Sequence, residues 1–134
     1  MTGLILKLAP HERVLINGAV IENGDRRARI AIKTPHANIL RIKDAIHPDA
    51  VNSPVARLCY ICQMILTGDA PPDEGRRQII FGIERLSQIF TDDDSKGLLS
   101  RAIENLNARE DYHALKSLKA LLPREADLIA LYRS

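Results

Sequence analysis

The chain opens on short apolar runs with a period of two and changes near residue 48 to a period between three and four. In Leu4–Leu8 the residues Leu4, Leu6 and Leu8 fall on one side, and Ala9-Pro10-His11-Glu12 breaks the run. Arg13–Ile16 and Ala19–Glu22 follow, separated by Asn17-Gly18. An Asn-Gly pair between two apolar runs predicts a tight hairpin, because both turn residues take positive φ. Asn23-Gly24 predicts a second reversal. In Arg27–Lys33, Ala28, Ile30 and Ile32 face one way, and Arg27, Arg29, Ala31 and Lys33 the other. That is a half-buried strand with a basic outer side. Asn38–Ile42 completes a set of five. Short strands this closely spaced predict a small antiparallel, barrel-like module.

Helical patterning takes over afterwards. Ser53-Pro54 reads as an N-cap with proline at the first helical position, opening a helix that ends near Thr67-Gly68. Ile79, Ile80, Ile83, Leu86 and Phe90 recur at helical spacing over residues 74–90. Thr91 to Ser95 supplies caps for a third helix, Asp111 for a fourth, and Pro123 opens a fifth. The expected fold class is therefore α+β. Residues 1–50 form a β-rich, basic module, putting the only internal boundary near residues 45–53, and residues 51–134 form a helical region. No repeat or low-complexity tract interrupts either.

Composition narrows the function classes. Hydrophobic residues are 46% of the chain and charged ones 27%, enough for a packed core. Aromatic residues are only 4%, with no Trp, which argues against a nucleic-acid site built mainly on stacking. No run approaches the roughly 20 apolar residues that span a bilayer, and the first ten residues lack a signal-peptide pattern, so a cytoplasmic protein is expected. Eight basic residues stand against five acidic ones in residues 1–50, and eleven against twelve after. The basic excess thus sits on the predicted strands.

Catalytic and metal chemistry find little support. Cys59-Tyr60-Ile61-Cys62 has C-x-x-C spacing, but it lies inside an apolar helical run and no second pair completes a zinc site, so buried, inert thiols are expected. His11, His36, His47 and His113 are scattered, and Asp92-Asp93-Asp94 reads as helix capping rather than a calcium loop. No phosphate-binding glycine motif is present. The reading is a non-enzyme without cofactor or metal. The cations Arg27, Arg29, Lys33, Arg41 and Lys43 are the candidate binding residues, suited to the phosphates of a nucleic acid, which the resemblances below specify as RNA. The bland alternative is a solvated strand face with edge-blocking charges.

The run from Leu4 to Gly24 resembles the opening of the FlbT family of flagellin regulators. There a lysine-bearing strand, a proline turn ending in Glu-Arg, a hairpin and an Asn-Gly pair come in this order. Ser53-Pro54-Val55-Ala56-Arg57-Leu58-Cys59-Tyr60 is similar to that family's Thr/Ser-Pro-x-x-Arg-x-Tyr helix start, with Cys59 inserted before the tyrosine. The resemblance covers essentially the whole chain. It implies post-transcriptional control of flagellin synthesis, exerted on the 5′ leader of flagellin messenger RNA, and a link to the small flagellar protein FlaF. Residues 24–35 are also similar to the central strand of the carbon storage regulator family, small five-stranded RNA binders built as intertwined dimers. Lys43 falls where that family has an RNA-contacting arginine. Lys7-Leu8 departs from it by carrying one basic residue where the family has two, and no glycine follows Ile30. The competing function is a protein-binding adaptor or chaperone-like partner for flagellar components, acting through the helices. The oligomeric state is open, a homodimer included.

Overall fold

The computed structural model describes residues 4–35 and 37–133. Among them, the strands are β1 (Leu4–Leu8), β2 (Arg13–Ile16), β3 (Ala19–Glu22), β4 (Ala28–Ile32) and β5 (Ile39–Arg41). The helices are α1 (Pro54–Thr67), α2 (Pro72–Leu86), α3 (Asp93–Asn107), α4 (Asp111–Lys119) and α5 (Leu122–Arg133). The α+β order of the sequence reading holds. Two short 3-10 turns, Ile42–Asp44 and Pro48–Ala50, join the halves. His36, one of the four histidines weighed above, lies outside the described residues.

The strands do not close into a barrel. β1 pairs antiparallel with β4 alone, and β2 sits between β3 and β5 in a separate sheet. Leu6 and Leu8 of the first sheet and Val14 and Ile39 of the second form one small buried core, so side-chain packing joins the sheets where backbone pairing would close a barrel. Asn17 and Gly18 take φ of 49° and 84°, the turn expected of that pair. The second Asn-Gly works differently, and neither of its residues has positive φ. Asn23 Nδ2 instead donates to the carbonyls of Ala9 (2.8 Å) and Arg26 (2.7 Å). Its N–H donates to Glu12 O (2.9 Å). Asn23 thus ties the β1–β2 turn to the β3–β4 loop.

The helices bury the larger core. Ser53 caps α1 by accepting from Ala56 N–H, and Gly68 ends it at φ 84°. From α5 the buried Glu125 carboxylate accepts from the Ser53 hydroxyl and from Val55 N–H (2.9 Å), placing a negative charge at the N-terminus of α1. Two glycines let α2 approach α1 closely: a Cβ at Gly82 would stand 2.6 Å from Leu58 Cδ2, and one at Gly75 2.8 Å from Ile65 Cδ1. α2 starts two residues earlier than its apolar pattern suggested, because Pro72 serves as a first-turn residue. Asp92 caps α3 by accepting from Ser95 N–H (2.9 Å), as its position in the acidic run suggested. Asp111 does not cap α4. It is the first helical residue, 2% exposed at its side chain, and is held by Arg76 through two hydrogen bonds of 2.9 and 2.8 Å. Its carbonyl accepts from Cys62 Sγ (3.1 Å). Leu40, Ile46, Val55, Cys59, Cys62, Ile79, Ile83, Leu115 and Leu118 belong to this core, so β5 and the linker seat the β module on the helices.

Candidate nucleic-acid interface

The cationic surface follows from the alternation of β1 and β4. Their register sets Leu4 opposite Ile32, Leu6 opposite Ile30 and Leu8 opposite Ala28, all turned towards the protein. The residues between them point outward, so Ile5 stands opposite Ala31 and Lys7 opposite Arg29. Arg27, Arg29 and Lys33 are all exposed on this side, as the period-two pattern predicts. Lys7 joins them. Lys7 lies outside the candidate set drawn from the sequence, although the alternation of β1 turns it away from Leu6 and Leu8.

Lys43 reaches the same surface from elsewhere. It sits in the 3-10 turn after β5, and with Lys7, Arg27 and Arg29 it lines a concavity of about 390 Å3. The turn is held from α4: the Tyr112 hydroxyl donates to the Asp44 carboxylate (2.9 Å) and Lys119 Nζ donates to Asp44 O (2.8 Å). Four cations thus gather in one groove from β1, β4 with its preceding loop, and the turn. Lys33 stands at the other end of β4, against a different hollow.

Arg41 does not belong to the exposed set. Its side chain is 13% exposed, and its Nε donates to Glu12 Oε2 at 2.8 Å. Its Nη2 donates to Lys7 O and to Glu12 Oε1. Alternation could not reveal this, because the partner lies 29 residues earlier in another strand connection. The hydrogen bond from Arg41 holds the Glu12 carboxyl below its ordinary range, against the opposing effect of burial, and raises Arg41 in turn. Glu12 is the acid lining the groove, and Arg41 neutralises it. Arg41 therefore positions the site from beneath and leaves the outward cations unbalanced.

The cysteine pair is part of the packing of α1. Cys59 and Cys62 are fully buried, and burial pushes the Cys59 thiol up to about 12 and Cys62 higher still. Among the described residues no group of three or more His, Cys, Asp or Glu side chains is placed to hold a metal, and no helix is long and apolar enough to cross a membrane.

The sequence model of the family described as "Flagellar protein FlbT" matches residues 4–129. The chain belongs to the FlbT family. Among its FlbT relatives, a probable flagellum biosynthesis repressor protein FlbT 1 of Bradyrhizobium diazoefficiens is 32% identical over 98% of this chain and 88% of its own length. The flagellum biosynthesis repressor protein FlbT of Caulobacter vibrioides is 29% identical over 91% of this chain and 86% of its own. A probable FlbT of Brucella abortus is 27% identical over 96% and 83%. No solved structure matches this chain.

Proposed function

We propose that this chain is a post-transcriptional regulator of flagellin synthesis that binds the 5′ leader of flagellin messenger RNA. Lys7, Arg27, Arg29 and Lys43 contact successive phosphates, and Lys33 extends the row. The cross-strand pairing of Lys7 with Arg29 carries this reading. Like charges directly opposite in a sheet oppose strand pairing. A solvated face does not need them, whereas a phosphate lying across the pair is attracted by both. Membership of the FlbT family and the repressor names of its relatives supply the flagellar context. A regulator of this kind works in the cytoplasm and performs no covalent chemistry. Changing Arg27, Arg29 and Lys43 together to Gln should leave the fold intact and weaken binding to a flagellin leader RNA. The slope of log affinity against log salt should shrink by roughly 3 × 0.7 if each residue meets one single-strand phosphate. Unchanged affinity and slope in the folded variant would sink this proposal.

The helical region supports a second reading, docking of a protein partner such as FlaF. Phe81 on α2 is 63% exposed and Tyr132 on α5 is 91% exposed. An apolar contact at such residues would respond little to salt, which separates it from phosphate binding.

A further inference from the structure

Where β4 ends, a hollow of about 270 Å3 opens between the strand end and the α3–α4 junction. Its inner walls include Leu4, Ile32, Ala37 and Ile39, and its lining also includes Lys33, Arg109 and Glu110. The volume falls just below the roughly 300–1,000 Å3 of pockets for drug-sized ligands, which suits a single flat ring system. Lys33 is the last residue of the outward cationic row, so the row leads to this hollow. Arg27 and Lys33 are six positions apart, about 20 Å of strand. Arg109 leaves α3 at φ 60°, a left-handed conformation that favours glycine, and it carries an exposed guanidinium. Among the described residues the Glu110 carboxylate has no hydrogen-bond or ion-pair partner, and α4 begins without a side-chain cap from it.

We infer that this hollow takes one unstacked nucleobase of a single-stranded RNA whose phosphates run along the cationic row, with Glu110 accepting a hydrogen bond from the base's exocyclic amine. The inference rests on the RNA reading above and adds a source of sequence preference to it. Phosphate contacts fix position but carry no sequence information, which has to come from base edges. In RNA, recognition of sequence mostly uses single-stranded bases splayed out of the stack. Apolar walls receive the ring faces, and Lys33 and Arg109 meet the flanking phosphates. A carboxylate accepts from the amine of cytosine and has no donor to meet at the corresponding position of uracil.

The test uses 12-nucleotide RNAs and fluorescence anisotropy: oligo(C), oligo(U), and an abasic ribose-phosphate chain of the same length. The wild-type chain should bind oligo(C) more tightly than oligo(U), and the abasic chain about tenfold more weakly than oligo(C). Ala37→Phe, which fills the hollow, should remove the advantage of oligo(C) over the abasic chain while leaving the salt slope unchanged. Glu110→Gln changes an exposed side chain without partners, so it should fold normally, and it should erase the preference for oligo(C) over oligo(U). Equal wild-type binding of oligo(C) and the abasic chain, with the full salt slope retained, would overturn the base pocket and leave the phosphate row standing. Absence of salt-dependent binding to any of the three overturns both.

Discussion

Replacing Arg29 by Glu should make the folded chain more stable and bind RNA more weakly. Arg29 stands directly opposite Lys7 on the outward side of the β1–β4 pair, and both are exposed. A like-charged cross-strand pair opposes pairing and an oppositely charged one favours it, each by about 0.2–1 kcal/mol. Reversing one charge replaces the first with the second. Exposed pairs sit at the low end of such ranges, and Glu is a poorer strand former than Arg, so the net gain is about 0.5–1 kcal/mol at low salt. With an unfolding entropy of about 2.1 cal/mol/K per residue, 134 residues give roughly 0.28 kcal/mol/K. The melting temperature should therefore rise by about 2–4 °C, and the rise should shrink in high salt as the pair is screened. Arg29→Gln, which only removes the repulsion, should give about half the increase. Calorimetry at two ionic strengths measures the first effect and anisotropy with a flagellin leader RNA the second. A fall in melting temperature at low salt, or undiminished RNA affinity, would refute the argument that repulsion is retained here for an anionic ligand.

Glu125→Ala leaves the Ser53 hydroxyl and Val55 N–H without their carboxylate, at a cost of about 3 kcal/mol, and hydrogen exchange should accelerate throughout α5; unaltered protection there would contradict the capping role. The Glu12–Arg41 pair depresses the Glu12 carboxyl below 4.5, so its stabilisation is present above that pH and is lost as pH falls through the lowered value. Urea unfolding of wild type and Glu12→Gln should accordingly differ most near neutral pH and converge in acid. Cys59 and Cys62 should react with a thiol reagent only at the rate of unfolding, since both are fully buried with raised thiol values; rapid labelling of the native chain would show the α1 packing to be wrong. Gly82→Ala sets a new methyl 2.6 Å from Leu58 Cδ2, and the overpacking is offset by about 1 kcal/mol of helix propensity, so denaturant midpoints should show a net cost of about 0–2 kcal/mol.

Local features of the fold were legible in the chain because they depend on near neighbours. The outward row Arg27, Arg29, Lys33 follows from alternation alone, the Asn17-Gly18 hairpin from φ preference, and the start of α1 from Ser53-Pro54. What depends on distant partners was not legible. Nothing near Arg41 announces that Glu12 will take its guanidinium, and nothing near Asn23 shows that it will bond across to Ala9. The pairing of β1 with β4 skips two intervening strands, so Lys7 could not be set beside Arg29 from spacing. The hollow at the end of β4 draws its walls from residues 4, 32–35, 37, 39 and 108–113, positions that only the folded chain brings together.

The Glu125 cap also sets an order of events during synthesis. The N–H of Val55 and the carboxylate that satisfies it are separated by 70 residues. A ribosome adding about 5–20 residues per second needs roughly 4–14 s to cover that interval. The strands and their cationic row lie wholly ahead of it, so they can pair while the first turn of α1 still waits for its partner. The nascent chain is therefore asymmetric in time: the strand-borne cations Lys7, Arg27 and Arg29 can come together early, whereas the Lys43 turn waits for α4 and the first turn of α1 for α5.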